Sequence, residues 1–302
     1  MLPKIEGYAA ALWGSLDRAS LVASVDGLRR LEQTVLARSD LRAVLSDTSI
    51  PGPVRGEVVR DLLTGKVDDA TIRLAVYSAA VAPAQDVTHS WSELAQAGHV
   101  LMDTGHFDQS ALSLMDARRR VSGYADALLV DVDVSEFATI EEELFRWART
   151  VEANRELRRL LLDRDAPLEA RVGATEDLLG GRVADATLRL ARFVIVGGRP
   201  RDVVGTLDYL VDYVALVRDW RVARVHTARP LDDASVADLV ASLHGLTGQN
   251  VELQVAEEPD LLGGILVEVG DLLLDATTRG RLATLHDDVA SGHLYRTTLA
   301  ND

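Results

Sequence analysis

The sequence predicts a mainly α-helical fold, in which two tandem homologous helical bundles of about six helices each precede a small α/β C-terminal domain. Three observations predict it. Residues 62–75 return as residues 178–191, with 10 of 14 aligned residues identical at an offset of 116 positions. Within each copy, apolar residues recur at steps of three and four, which is typical of helices. Beyond about Trp220, apolar and polar residues alternate instead, which is typical of strands.

The offset of 116 positions holds along most of both copies, since Gly7-Tyr8-Ala9 returns as Gly123-Tyr124-Ala125 and Pro51 as Pro167. A solenoid needs about three or more stacked repeats to cover its core, so two copies indicate a duplicated domain. We therefore predict three domains, an extra copy of the bundle, a second bundle and a C-terminal domain, over residues 1–109, 110–220 and 221–302.

One long amphipathic helix is expected near the start of each copy. Its apolar stripe in the first copy is Leu21, Val25, Leu28, Leu31 and Val35. The equivalent positions in the second copy are Phe137, Glu141, Leu144, Trp147 and Val151. Four of these five are apolar, so we expect both copies to bury the same face of this helix.

Further along each copy, helix boundaries can be read from capping residues and glycines. Ser49 and Asp165 each stand two positions before a proline, and we expect them to cap the helix that follows. Gly65 and Gly181 are expected to end that helix. Residues 99–113 contain Gly105 and several polar residues, which predicts a helix end followed by a connector between the copies.

The last part of the chain reads as a small α/β domain. Residues 221–227 are rich in β-branched side chains, and Val251, Leu253 and Val255 alternate with polar residues, so both predict strands. Gly270-Asp271 separates two further apolar runs, which predicts a hairpin. Two helices are expected, with apolar residues at Val236, Leu239, Val240 and Leu243, and at Leu282, Leu285 and Val289.

Composition narrows the functional classes. The chain has a formal net charge of -15, which would repel phosphate backbones and anionic lipids, so nucleic acid and direct membrane insertion are poor candidates. It contains no cysteine, so disulfides and thiolate metal sites are excluded. No apolar run is long enough to span a bilayer and the start lacks a signal-peptide core, so we expect a location on the cytoplasmic side.

No residue pattern predicts catalysis, a cofactor or a metal. Residues 263–270 are glycine-rich but lack the Lys-Ser/Thr ending of a phosphate-binding loop and lead into a strand, so we interpret them as a turn before a hairpin. His99, Asp103, His106 and Asp108 match no zinc spacing. The run Glu141-Glu142-Glu143 is interpreted as a solvated helix face.

One C-terminal stretch resembles a known family. It comprises Glu258 to Asp271 and continues through Leu274-Asp275 and Thr278 to Leu282. Its leucines, paired glycines, Gly-Asp turn and Arg-Gly-Arg-Leu segment resemble those of the δ subunit of rotary ATP synthases. In mitochondria this subunit is called the oligomycin-sensitivity-conferring protein. In the second copy, Tyr124 to Leu128 and Asn154 to Arg158 resemble the family's opening Tyr-Ala-x-Ala-Leu and its Asn-Pro-Glu-Leu-Arg segment.

This resemblance implies a non-catalytic peripheral-stalk subunit without a cofactor, in which a six-helix bundle is followed by a smaller α/β domain. In the family, the bundle holds an N-terminal helix of an α subunit and the C-terminal part holds the end of the b-type stalk subunit, so the subunit resists rotational torque. It would lie at the cytoplasmic face of the cell membrane, peripheral through the ATP synthase complex. A duplicated helical-bundle adaptor of another complex is the alternative interpretation.

The resemblance also implies partner-binding residues. The groove for the α-subunit helix, between the first and fifth helices of the second copy, would contain Tyr124, Ala127, Leu128, Leu188, Ala191 and Ile195. A possible second groove in the first copy would contain the matching Tyr8, Ala11, Leu12, Ile72, Ala75 and Ala79. The stalk-domain motif comprises Leu262, Gly263, Gly264, Gly270, Asp271, Arg279 and Leu282. Each groove residue could equally be ordinary core.

The extra first copy is what departs from the family pattern. Family members from high-GC actinobacteria carry an enlarged δ subunit, sometimes fused behind a membrane-anchored b-like segment. The chain would then be an unfused version or one part of such a fusion. Because its groove positions stay apolar, we hypothesise that the first copy also engages a stalk or α-subunit helix. Deleting residues 1–109 would then weaken assembly with the head or the stalk.

Overall fold

A computed structural model describes residues 2–105, 112–163, 165–247, 251–258, 261, 263–269 and 272–279. The chain divides into two compact units, Met1–Val214 and Ala215–Asp302. The described residues are mainly helical, with a small sheet in the second unit, which confirms the predicted fold class. Both bundles fall in the first unit up to Val214, and the division into three domains stays a prediction.

The helices of the first unit follow the repeat. The part of the first bundle that the structure describes contains α1 (Pro3–Trp13), α2 (Arg18–Ala37), α3 (Ser39–Ser46), α4 (Gly52–Leu63), α5 (Asp69–Val81) and α6 (Val87–Thr104). The second bundle contains α7 (Leu114–Leu129), α8 (Phe137–Ala153), α9 (Arg155–Leu162), α10 (Leu168–Leu179), α11 (Asp185–Gly197) and α12 (Val203–Arg221). A short 3-10 turn precedes α6 and α12 at equivalent positions, Ala84–Asp86 and Pro200–Asp202.

Several helix ends have the expected local chemistry. Asp17 caps α2 by accepting from the Ser20 amide at 2.7 Å, and Ser113 caps α7 by accepting from the Asp116 amide at 3.1 Å. Gly105, directly after α6, has a φ of 76° that a side chain would disfavour. These caps place the predicted connector between α6 and α7.

The predicted caps before the two prolines are wrong. Pro51 and Pro167 occupy the N-cap positions of α4 and α10 themselves, without a side-chain hydrogen bond. Ser49 instead takes part in the turn before the helix, where its amide donates to the side chain of the preceding Asp47 at 2.8 Å. Asp163 binds the amide of Asp165 in the same way at 2.9 Å.

The interpretation of Glu143 as solvated is also wrong. Glu143 on α8 is buried, and its carboxylate accepts from the Ala184 amide at 3.0 Å and the Thr187 hydroxyl at 2.6 Å. It thereby caps α11 from a neighbouring helix. In the first bundle, Asp68 caps α5 locally by accepting from the Thr71 amide at 2.9 Å. The second bundle has Ala184 in place of that aspartate, and Glu143 takes over its role.

The predicted amphipathic stripes form the centre of both bundle cores. All five apolar residues of the α2 stripe are buried, as are the four apolar residues of the α8 stripe. The first-bundle core is completed by large fully buried side chains from other helices, including Trp91 of α6 and Leu74 of α5. The burial of these faces supplies most of the driving force that holds the short helices together.

The second unit is built on a four-stranded sheet within the described residues. Its elements are β1 (Val222–Thr227), α13 (Asp233–Thr247), β2 (Glu252–Glu257), β3 (Ile265–Val269) and β4 (Leu272–Asp275), and the strand order is β2-β1-β3-β4. Strands β1 and β2 are parallel, so a crossover through α13 is needed, whereas β1–β3 and β3–β4 are antiparallel. The predicted strands and the hairpin pairing of β3 with β4 are confirmed.

The core of this unit lies where the sheet meets α13. Alternate residues of β1, Ala223 and Val225, are buried together with Val267 and Val269 of β3 and Leu243 of α13. The hairpin turn residues Gly270 and Asp271 and the predicted last helix, with Leu282, Leu285 and Val289, lie outside the described residues.

Candidate partner-binding surfaces

The structure brings the predicted first-copy groove residues together along α1 and α5. Tyr8 stacks on Tyr77, with ring centroids 3.8 Å apart. The remaining positions share one hydrophobic cluster, with Ala11, Ala75 and Ala79 buried and Leu12 and Ile72 partly buried against it. Most of this set is therefore packed inside the protein rather than open to solvent.

The second-copy groove residues have matching positions on α7 and α11. Tyr124 stacks on Phe193 at a centroid distance of 3.9 Å, which reproduces the Tyr8–Tyr77 pair. Among the other five residues, Leu188 is half-buried, and Ala127, Leu128, Ala191 and Ile195 are buried. Tyr124 and Ala127 belong to the hydrophobic cluster of the first bundle. Residues of the two predicted grooves therefore meet each other.

They meet because α1 and α7 cross in backbone contact. A Cβ atom on Gly7 would lie 1.7 Å from the Arg120 carbonyl oxygen, and one on Gly123 would lie 1.8 Å from the Lys4 carbonyl oxygen. No side chain fits at either position, although glycine weakens a helix by about 0.5–1 kcal/mol relative to alanine. Gly7 and Gly123 are the same position of the repeat. The crossing is thus nearly symmetric, with each first helix presenting its glycine to the other bundle.

A buried ion pair crosses this contact. Arg120 Nη2 of α7 donates to Glu6 Oε2 of α1 at 2.8 Å, and both side chains are almost fully buried. The Nε and Nη1 atoms of Arg120 have no hydrogen-bond partner among the described residues. Removing one member of such a pair would leave an uncompensated buried charge, which is strongly destabilising. The pair therefore specifies how α1 and α7 are aligned.

Asp126 of α7 is a second polar link between the bundles. Its Oδ2 atom lies 3.1 Å from Lys4 Nζ and accepts from the Tyr77 hydroxyl at 2.5 Å. Its Oδ1 atom accepts from the hydroxyl of Tyr213 on α12. Burial, and then the nearby Asp126 carboxylate, raise the pKa values of Tyr77 and Tyr213 well above the usual range. Both hydroxyls therefore remain donors at neutral pH.

Arg73 of α5 binds the C-terminal end of α7. Its Nη2 atom donates to the Ala127 carbonyl oxygen at 3.1 Å, in the last turn of α7. Its Nη1 atom lies 3.3 Å from Asp131 Oδ2. A cation at a helix C-terminus interacts favourably with the unsatisfied carbonyls and the helix dipole. Helix α7 is thus bound by α1 through its glycine crossing and by α5 through Arg73 and Tyr77.

These polar links are not symmetric, and sequence reasoning missed them. The position equivalent to Asp126 is Ala10, and the position equivalent to Tyr77 is Phe193. Arg189, equivalent to Arg73, lies 4.0 Å from Asp185 of its own helix. One available signal was the composition of α1, which is apolar almost all round; such a helix is normally buried on every side. Residues Ile5 to Ala11 are indeed all buried.

The stalk-domain motif is only partly described. Gly263 and Gly264 have φ values of 145° and 82°, and a Cβ atom on Gly264 would lie 2.3 Å from the Ala276 carbonyl oxygen. This fits the predicted tight turn before β3. Arg279 is exposed, whereas Leu262, Gly270, Asp271 and Leu282 lie outside the described residues.

No group of three or more His, Asp or Glu side chains in the described ranges could hold a metal ion. Of the four residues tested against zinc spacings in the sequence, His106 and Asp108 lie outside those ranges. None of the helices that could be described combines the length and apolar character needed to cross a membrane.

Comparison with known proteins supplies the family. The model of the ATP synthase delta (OSCP) subunit family matches residues 121–289, which begin within α7 and continue into the second unit. The ATP synthase subunit delta of Nocardia farcinica is 32% identical over 285 residues, covering 94% of this chain and 95% of that protein. That of a Parafrankia strain is 33% identical over 243 residues, covering 80% and 78%.

The relatives extend beyond the family model. An alignment over 94% of this chain necessarily includes most of the first bundle, so the Nocardia protein shares the enlarged N-terminal part. The subunit delta of Streptomyces coelicolor, 29% identical, likewise covers 89% of this chain. The matches thus agree with the resemblance of the C-terminal stretch. The chain belongs to the ATP synthase delta (OSCP) subunit family.

Proposed function

We propose that this protein is a peripheral-stalk subunit of a rotary proton-translocating ATP synthase. It joins the catalytic head, through an α-subunit N-terminal helix, to the b-type stalk and resists the torque of rotation. The observation that carries this proposal is the family match over residues 121–289, which takes in the second bundle and most of the second unit. These are the two regions to which the resemblance assigns the head and stalk contacts.

The head contact is assigned to the groove of α7 and α11. A partner helix binds such a groove by laying its apolar face onto apolar side chains. Leu188 of α11 is half-buried, so part of its side chain is available to such a partner. The buried Ala191 and Ile195 lie further along the same helix and support its apolar face.

The stalk contact is assigned to the second unit. Leu273 lies on β4, at one edge of the sheet, and is 60% exposed. Leu246, near the end of α13, is 64% exposed. Large exposed apolar side chains at a strand edge are candidates for binding an amphipathic partner helix. With the exposed Arg279, Leu273 offers both apolar and charged contacts to a b-type subunit.

The proposed role is non-catalytic and needs no cofactor. The static contacts of the first unit suit a protein that transmits force between other subunits. Its position would be the cytoplasmic face of the cell membrane, peripheral through the complex. The net charge of -15 also disfavours direct association with anionic lipid surfaces.

Titration calorimetry with the full chain tests the head contact. The probe is a synthetic peptide of the α-subunit N-terminal helix from the same genome. We expect binding that Leu188→Asp weakens by about tenfold or more, because a charge would enter the apolar groove. Val54→Asp is the matched control, since Val54 is an exposed apolar residue outside the groove. Absent binding by the unmodified chain, or equal affinity of both variants, would contradict the proposal.

A separate titration tests the stalk contact. The probe is the C-terminal segment of the b-type subunit, and Leu273→Asp is expected to weaken its binding. Leu36→Asp is the control, because Leu36 is also an exposed leucine but lies on α2 of the first unit. If both variants bind the segment like the unmodified chain, the edge of β4 is not the stalk contact.

A further inference from the structure

We propose that the helix held by the α1–α5 groove of the first bundle is α7 of the second bundle. The first bundle would then be an internal brace for α7 rather than a second receptor for a partner helix. This packing of α7 into the α1–α5 groove, which we call the closure, is supported by contacts within the chain. Its consequence for the number of bound α-subunit helices rests on the proposed function.

Helix α7 packs closely against α1 and is bound to α5 through side chains in its C-terminal half. On the α1 side, the glycine crossing leaves no space between the helix backbones, since a Cβ on Gly123 would lie 1.8 Å from the Lys4 carbonyl oxygen. On the α5 side, Tyr77 and Arg73 bind Asp126 and the Ala127 carbonyl. A helix bound by both walls of a groove occupies that groove.

Burial on the two sides agrees with this occupancy. Ala127 of α7 is 2% exposed and belongs to the hydrophobic cluster of the first bundle. Tyr8 and Ala11, predicted to face a partner helix, are each 6% exposed within the same cluster. Since these side chains are already packed in the interior, a partner helix could reach α1 there only by displacing α7 and breaking the buried Glu6–Arg120 pair.

Sequence differences between the two bundles indicate which one supplies the groove and which one supplies the bound helix. Asp126 replaces the alanine of the first copy, and it receives hydrogen bonds from Tyr77, where the second copy has a phenylalanine. Each of these differences adds a group that binds the other bundle. The second copy therefore supplies the bound helix, α7, which carries the Asp126 carboxylate. The first copy supplies the groove, whose Tyr77 hydroxyl donates to that carboxylate.

Carbodiimide coupling tests the closure in solution without any substitution. Lys4 is one of only two lysines in the chain, and its Nζ atom lies 3.1 Å from Asp126 Oδ2. Both side chains are partly exposed to reagent. We expect a zero-length cross-link between Lys4 and Asp126 within the monomer, identified by peptide mass spectrometry and lost in Lys4→Arg. Absence of that cross-link in the unmodified monomer would overturn the closure.

Charge reversal tests the alignment of α1 with α7. Glu6→Arg and Arg120→Glu alone are each expected to lower the unfolding midpoint of the full chain by on the order of 10 °C. The double variant reverses the pair and should recover a substantial part of this loss. Additive losses without recovery would mean that the pair does not join the two helices.

Equivalent substitutions in the two bundles then test the consequence for partners. Leu188→Asp in the second bundle should weaken binding of the α-subunit peptide, whereas Ile72→Asp, the same repeat position in the first, should leave affinity and stoichiometry unchanged. Circular dichroism confirms that each variant is folded. A loss of one bound peptide in Ile72→Asp would overturn the brace. If no peptide binds while the Lys4–Asp126 cross-link forms, the proposed function fails and the closure stands.

Discussion

The two bundles differ where their fourth and fifth helices meet. In the first bundle, α4 reaches α5 at backbone distance, because a Cβ on Gly52 would lie 2.1 Å from the Ala80 carbonyl oxygen. The buried Arg55 then donates to the carbonyl oxygens of Ala79 at 3.2 Å, Ala82 at 2.8 Å and Ile50 at 2.6 Å. The first two are at the end of α5, where carbonyls lack intrahelical partners.

The second bundle keeps the arginine but not its partners. Arg171 is equivalent to Arg55 and equally buried, yet its Nε and Nη1 atoms have no hydrogen-bond partner in the described part of the chain. Leu168 replaces Gly52, so α10 carries a bulky side chain where α4 allows backbone contact. The duplicated arginine thus keeps its carbonyl partners in the bundle where a glycine lets the two helices touch.

Replacing each arginine by methionine tests this difference most strongly. Arg55→Met should lower the unfolding free energy of the first unit by about 3 kcal/mol, because three charge-assisted hydrogen bonds are lost. Arg171→Met should change it by less than about 1 kcal/mol, since a buried guanidinium with two unpartnered nitrogens among the described residues is replaced by an apolar chain of similar length. Denaturant unfolding followed by tryptophan fluorescence measures both. Equal losses would show that Arg171 has partners like those of Arg55.

Glycine substitutions examine the same junction from the backbone. Gly52→Ala should cost about 2 kcal/mol of unfolding free energy, because its methyl group overlaps the Ala80 carbonyl and the helices must separate. Gly173, within α10, has no atom within 4 Å of an added Cβ. Gly173→Ala should therefore raise the unfolding free energy by about 0.5–1 kcal/mol. A stabilising Gly52→Ala would contradict the close approach of α4 and α5.

The exchanged cap of the fifth helix predicts a smaller effect. Glu143→Ala should destabilise by about 1.5 kcal/mol, because it removes the acceptor for the Ala184 amide and the Thr187 hydroxyl. Glu142→Ala is the control; its carboxylate lies 3.7 Å from Arg146 in an exposed pair, which is worth at most about 0.5 kcal/mol. Thermal unfolding of both variants checks this. If Glu142→Ala is the more destabilising change, Glu143 does not cap α11.

The substitution with the smallest expected effect on stability at neutral pH is Tyr77→Phe. The equivalent residue of the second bundle is Phe193. The raised pKa values of Tyr77 and Tyr213 mean that the folded chain keeps protons that the unfolded chain releases. Their contribution is therefore present below the ordinary tyrosine pKa of about 10 and is lost as pH rises above it. Tyr77→Phe should reduce the fall in stability above that pH, as measured by unfolding at several alkaline pH values. An unchanged slope would contradict the burial of this hydroxyl.

Much of the fold was predictable because the repeat and the apolar stripes are local patterns. The α2 and α8 faces, the strand positions and the pairing of β3 with β4 all follow from periodicity and turn residues. The burial of Glu143 was missed because a glutamate in an acidic run reads as solvated, and the amide it caps lies 41 residues away. The caps predicted at Ser49 and Asp165 were wrong because the proline itself takes the N-cap position.

The site was less predictable, since an alanine-rich helix face has the same pattern whether it contacts its own bundle, another bundle or a partner. Gly7 and Gly123 were visible as a repeated position, but only the structure places each against the other bundle's carbonyl oxygen. Asp126 and Arg73 carry no local signal either, because their partners lie 49 and 54 residues away in the chain. Such contacts depend on how whole bundles pack.

We propose that the two bundles are unequal, with the first holding α7 and only the second binding an α-subunit helix. Native mass spectrometry of the full chain with an excess of the α-subunit N-terminal peptide tests it most directly. We expect a complex with one bound peptide at saturation. A complex with two bound peptides, reduced to one by Ile72→Asp, would contradict it.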